Sequence, residues 1–264
     1  MLSIDKQILF LLSRLDTISV QRFIEIYSTR GYSPQSVRNV LSRLKQAGYV
    51  VTSARSLYSI TPHGRSTLHS IANKGYHYGD EWDGQWHLVM FEIAEAERSK
   101  RYQFKNALQN LGFAPLYTNT FISPWNYVEE VDRLRSELDL VDHVTQMKGT
   151  FQQALITPEK ANKMWQLDHI NELHLRKWEW FHTNLLPRLE SYRQEANYLQ
   201  IFVCYLELGE AMGEVVIADP MLPWELLPDN WMGQKLLIAF GSLFSSLYKD
   251  VPKDTYYYEF MTNE

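Results

Sequence analysis

With 264 residues, 45% of them hydrophobic and 22% charged, the chain has enough apolar material for one large domain or two to three small ones. Its single cysteine, Cys204, lies in the apolar run "LQIFVCYLEL", which excludes an intrachain disulfide framework and suits a reducing cytoplasm. No segment reaches the roughly 18 apolar residues of a membrane span. "ILFLLSRL" follows Asp5 and Lys6 and is broken by Ser13 and Arg14, so it is not read as a signal peptide.

The net charge of −5 conceals a division. Residues 1–66 carry nine Lys/Arg against three Asp/Glu, a balance of +6, which leaves −11 for the remainder. No acid occurs between Glu25 and Asp80. A basic segment joined to an acidic body is an electrostatic argument for an anionic partner, most often nucleic acid.

In chain order, Ile4, Ile8, Leu11, Leu12 and Leu15 recur at helical spacing, and Val20, Phe23, Ile24 and Tyr27 predict a second helix ending near Gly31. Ser33-Pro34 supplies an N-cap and a first-turn proline for a third helix over Ser33 to Ala47, with Val37, Val40, Leu41 and Leu44 as its apolar stripe. Its other face presents Gln35, Asn39 and Ser42, flanked by Ser36, Arg38, Arg43 and Lys45. Amides and hydroxyls of that kind reach base edges, while the cations beside them reach guanine or phosphate. The stretch "YVVTSARSLYSITPHG" then alternates around "SARS", which predicts two short strands joined by a hairpin carrying Arg55. Three helices and a hairpin make a winged helix-turn-helix over 1–70, with Ser33, Gln35, Ser36, Arg38, Asn39, Ser42, Arg43, Lys45 and Arg55 as candidate DNA-binding residues.

A linker around "SIANKGYHYGDE" leads to a segment of different character. "QWHLVMFEI", "LYTNTFISP" and "HVTQMKGTF" read as three strands, separated by the helical stretches "AEAERSKRYQFKNALQNLGF" and "NYVEEVDRLRSELDL". That alternation predicts a small α+β unit of ferredoxin-like type over 80–155. From 156 to 264 the pattern is mostly helical and aromatic, with Trp165, Trp178, Trp180 and Phe181 as core candidates. His169 and His174 are five residues apart on a helix and do not share a ligand face as an i, i+4 pair does, so these and His182 are read as surface or packed histidines and no metal site is expected.

Two blocks carry a family resemblance. "WDGQWHLVMFEIAEAERSKRYQFKNALQNLGFAPLYTNTFISP", Trp82 to Pro124, resembles the central segment of PaaX-type repressors, regulators of phenylacetic acid catabolism. "DPMLPWELLPDNWMG", Asp219 to Gly233, resembles that family's C-terminal motif. The pattern departs at Phe104-Lys105, where a second Arg is usual, and at Ala94, which stands for Pro. The resemblance implies a three-domain dimeric repressor, a central domain similar to small CRISPR-associated ferredoxin-like endonucleases, and an aryl-acetyl-CoA effector, phenylacetyl-CoA being favoured. For such a thioester the chain offers aromatic Trp82, Trp86, Trp224 and Trp231, and cationic Arg98, Arg101 and Lys105.

The expected partners are therefore double-stranded operator DNA, an acyl-CoA and a second copy of the chain, with no membrane and no cofactor. Catalysis is not expected: the chain has no G-x-S-x-G elbow, phosphate-cradling glycine loop or H-E-x-x-H. The alternative is a metal-dependent nuclease built on the ferredoxin-like unit, with Glu92 near the end of its first strand. A single carboxylate falls short of the converging oxygen ligands that such chemistry needs.

Overall fold

The computed structural model describes residues 4–65, 76–153 and 156–262. The elements run α1 (Ile4–Arg14), β1 (Ile18–Ser19), α2 (Val20–Ser28), α3 (Pro34–Gln46), β2 (Val50–Ala54), β3 (Leu57–Ile60), β4 (Trp86–Phe91), α4 (Arg98–Asn110), β5 (Ala114–Tyr117) and β6 (Thr120–Ser123). There follow α5 (Val128–Glu137), β7 (Val144–Gly149), α6 (Pro158–Trp165), α7 (Leu167–Trp180), α8 (Leu186–Gln194), α9 (Tyr198–Ala218), α10 (Gly233–Phe244) and α11 (Tyr258–Met261). None of these helices is long and apolar enough to cross a membrane.

The chain forms two compact units. One combines Met1–Ala72 with Arg176–Glu214 and Leu236–Glu264. In it α1, α2 and α3 bury Ile8, Leu11, Leu12, Phe23, Ile26, Tyr27, Val37 and Leu41 against one another. Ser19 caps α2, its hydroxyl accepting from the Arg22 amide. Gly48 ends the turn after α3 at φ 76°, a conformation glycine adopts without steric cost, and the Tyr49 amide then returns to the Leu44 carbonyl at 3.0 Å. Strands β2 and β3 form the expected hairpin, turning at Arg55-Ser56. A third strand, β1, pairs antiparallel with β3 through Ile18 and Ser19, so the sheet order is β1-β3-β2. Two residues are too few for alternation to reveal a strand in advance.

The helical remainder of this unit centres on α9, where Ile201 to Leu206 are all buried. Here Glu210 ties α9 to α1 and α2. Its Oε2 accepts from Gln7 Nε2 at 3.0 Å and from Arg30 Nη2 at 2.6 Å, while Arg30 Nη1 donates to Gln7 Oε1 at 2.5 Å. Between α7 and α8 the helix widens into a π turn over Phe181–Leu185, where Pro187 has no N–H to give the preceding turn.

The other unit combines Asn73–Leu175 with Val215–Lys235. Its sheet has the order β5-β6-β4-β7, with antiparallel pairing throughout. With α4 after β4 and α5 after β6, this is the βαββαβ ferredoxin-like arrangement. The core holds Val89, Phe91, Phe104, Leu108, Phe121, Val131, Leu140 and Val144, drawn from strands and both helices. The sequence reading is corrected at "LYTNTFISP", which is not one strand. The chain reverses at Thr118-Asn119, a pair suited to a turn, and makes β5 and β6 of a hairpin. The Asn119 carbonyl then accepts from the amide of Phe91, the last residue of β4, at 3.1 Å.

Candidate nucleic-acid interface

Helix α3 starts where Ser33, in extended conformation, accepts the Ser36 amide on its hydroxyl at 3.1 Å and Pro34 takes the first helical position. The stripe Val37, Val40, Leu41 and Leu44 is buried, as its spacing requires. Ser33, Gln35, Ser36, Arg38, Asn39, Ser42, Arg43 and Lys45 are all exposed, as is Arg55 at the tip of the β2–β3 hairpin. All nine belong to the first unit.

The contacts on this face are not uniform. Gln35 Nε2 donates to Asn39 Oδ1 at 2.9 Å, one turn along, and the hydroxyls of Ser33 and Ser36 lie 2.8 Å apart. Arg38, Lys45 and Arg55 make no ion pair or side-chain hydrogen bond among the described residues, so their charge faces solvent. Arg43 is different: Nη2 meets Asp5 Oδ1 at 2.6 Å and Nε meets Oδ2 at 3.2 Å, and this pair raises the guanidinium pKa above its ordinary value. Although α3 itself carries no acid, α1 brings one carboxylate to its edge. Sequence reasoning missed Asp5, whose only signal was that it is one of three acids in a basic segment.

The residues suggested for an acyl-CoA divide into separate settings within the second unit. Arg98, Arg101 and Lys105 line an open groove of about 650 Å³ along α4, together with Ser99, Tyr102 and Gln103. Two of the three cations are engaged: Arg101 pairs with Glu95 at 2.6 Å, and Lys105 Nζ donates to the Thr118 carbonyl at 2.9 Å. Trp82 and Trp86 pack edge to face with ring centres 5.0 Å apart, and Trp86 also stacks near Trp165, whose indole N–H donates to the Gly112 carbonyl at 2.8 Å. Trp224 stays 49% exposed over Tyr78, whereas Trp231 is buried and packs on His174.

The second unit also contains a buried polar cluster that the sequence reading did not single out. Asp219 and His174 are fully enclosed, with Tyr78 and Trp231 nearly so. The Tyr78 hydroxyl donates to Asp219 Oδ2, the Met221 amide donates to Oδ1 at 2.7 Å, and Trp231 Nε1 donates to the Tyr78 hydroxyl at 2.5 Å. His174 Nε2 lies 3.6 Å from Asp219, beyond hydrogen-bond range, and neither ring nitrogen has a hydrogen-bond partner among the described residues. Burial pushes this imidazole down to about 4, so the ring is neutral at ordinary pH. A Cβ on Gly233 would lie 2.1 Å from Asp219 Oδ2 and 2.3 Å from the Tyr78 hydroxyl, so glycine is what lets α10 begin against this cluster. Asp219, Trp231 and Gly233 all come from the "DPMLPWELLPDNWMG" block, which gives that block a structural task.

Glu92 is exposed and its backbone pairs with that of His143. Among the described residues no group of three or more His, Cys, Asp or Glu converges as a metal would require. Cys204 is buried, which pushes its thiol up to about 11 and away from nucleophilic use.

Comparison with known proteins bears on both blocks. Residues 79–161 match the family model described as the PaaX protein central Cas2-like domain, and residues 165–256 match the PaaX-like protein C-terminal domain. The chain is 28% identical over 210 residues to the transcriptional repressor PaaX of Escherichia coli (strain K12), covering 77% of this chain and 66% of that protein, just under two thirds of its length. The solved structure of the uncharacterized protein Rv0674 from Mycobacterium tuberculosis shares the fold at a TM-score of 0.55 with 18% identity, over 92% of this chain and 95% of that one. With both domains matched in order along the sequence, the chain belongs to the PaaX family.

Proposed function

We propose that this chain is a DNA-binding transcriptional repressor that acts as a cytoplasmic homodimer, its residues 1–70 forming a winged helix-turn-helix that reads duplex DNA through α3. The observation that carries the reading is the outer face of α3. Amides and hydroxyls occupy its centre, unpaired Arg38 and Lys45 stand beside them, and Arg55 projects from the neighbouring hairpin. Short polar side chains make base contacts in a major groove, and unpaired cations neutralise phosphates. The Escherichia coli relative is named a transcriptional repressor, which supports the same reading.

In this proposal residues 80–155 form the central domain and 156–264 the domain for effector binding and dimerisation. One recognition helix covers few base pairs, so a two-fold dimer on an inverted repeat is the economical arrangement. The effector is an aryl-acyl-CoA of the phenylacetate type, and the regulated genes serve catabolism of such an acid. Arg98, which makes no ion pair among the described residues, and half-exposed Trp224 are the candidates still open to a ligand. Trp86 and Trp231 are committed to packing. Footprinting of the chain's own upstream region, with and without phenylacetyl-CoA, tests the whole reading. A protected inverted repeat that is released by the thioester is expected. An unprotected region across all conditions would end it, whereas protection indifferent to millimolar thioester would remove only the effector. A tenfold loss of operator affinity corresponds to about 1.4 kcal/mol of coupling, and operator DNA must then weaken thioester binding by the same factor.

A further inference from the structure

A guanidinium presents two edges that can each donate a pair of parallel hydrogen bonds, one formed by Nε and Nη2 and one by Nη1 and Nη2. Asp5 occupies the first edge of Arg43 with both of its oxygens, at 3.2 and 2.6 Å. The second edge meets no partner among the described residues, and the Arg43 side chain is 60% exposed while Asp5 is 25% exposed, so the pair is anchored on its acid side and open on its arginine side. One turn back on the same helix stands Asn39, itself oriented by Gln35. We infer that Asp5 is a specificity-determining residue, holding Arg43 so that its free edge reads a guanine next to the base contacted by Asn39.

The choice of guanine over phosphate follows from charge. The Asp5–Arg43 pair is neutral overall, so a phosphate brought to it gains little attraction and meets the Asp5 carboxylate. Guanine offers O6 and N7, two uncharged acceptors whose spacing matches the free edge. Asp5 therefore turns an arginine that would otherwise serve any phosphate into one that serves a particular base. The same carboxylate fixes the long side chain in advance, so less rotamer freedom is lost on contact. Arg38, Lys45 and Arg55, which pair with no acid among the described residues, are left to the phosphates.

The inference rests on the duplex-binding reading of α3, and the test separates the two. Wild type, Asp5→Asn and Arg43→Lys would each be used to select from a randomised duplex library, and then titrated against the selected site, its single-base variants and random duplex. Asp5→Asn changes no side-chain volume, and Arg43→Lys keeps the charge while removing the paired edge, so the two variants check each other. A guanine preference at one position of each half-site is expected for the wild type. In both variants that preference should fall by about tenfold. Asp5→Asn should also bind random duplex more tightly, with a steeper salt dependence, because Arg43 is released to phosphate. A wild-type chain that binds no duplex would overturn this inference together with the proposed function. A wild-type chain that selects a site, with Asp5→Asn selecting the same site at the same ratios and the same random-duplex affinity, would overturn the inference alone.

Discussion

Asn39 and His174 show how differently one polar side chain can be used in the two units. Asn39 is exposed and held by Gln35, and its amide hydrogens have no partner among the described residues, so on the proposed function they are available to a base edge. Replacement by Ala should cost roughly 1 to 3 kcal/mol on the selected site and little on random duplex, measured by competition binding. Equal losses on both would make it a positional contact only. His174 is fully enclosed without a hydrogen-bond partner among the described residues, and burial depresses its pKa. Its folded pKa of about 4 lies below the ordinary value of 6.5, so between those two pH values the unfolded chain binds the extra proton. The stability associated with a neutral His174 is thus complete above 6.5 and declines as pH falls toward 4, by roughly 3 kcal/mol over the whole window. Denaturant midpoints taken across that window should drop in the wild type and flatten in His174→Leu. Parallel curves would contradict the assignment.

Among the elements, α3 was the most legible in sequence because cap, first-turn proline, apolar stripe and terminal glycine all agree on one helix. The β2–β3 hairpin was legible for a similar reason, with alternation on both sides of a polar turn. The β5–β6 hairpin was not, since "LYTNTFISP" keeps strand-like residues on both sides of Thr118-Asn119 and offers no glycine or proline to mark the reversal. The cluster around Asp219 was equally hidden, because Tyr78, His174, Asp219 and Trp231 are distant in sequence and only the tertiary fold brings them together. The Glu210 contact belongs to the same class: nothing local in α9 announces Arg30 and Gln7. Since that pair is only 11 to 13% exposed, Glu210→Ala leaves an arginine nearly buried without its partner. A loss of roughly 3 kcal/mol is expected, seen as a lower urea midpoint. A midpoint within experimental scatter of wild type would mean that water replaces the carboxylate at little cost.

At the level of the whole molecule the deciding feature is the charge asymmetry, +6 in the first 66 residues against −11 in the rest. On the proposed function an acidic body repels the polyanion, so affinity is to be carried by cations of the N-terminal segment that make no ion pair among the described residues, and Arg38 is among them. Binding of fluorescent duplex to wild type and Arg38→Ala, followed across a salt series, tests that claim most directly. If Arg38 neutralises a phosphate, the logarithm of the association constant falls linearly with the logarithm of salt concentration for both proteins, and the slope of the variant is shallower by about 0.9. No association with duplex at low salt, or an identical slope for the two proteins, would contradict the account.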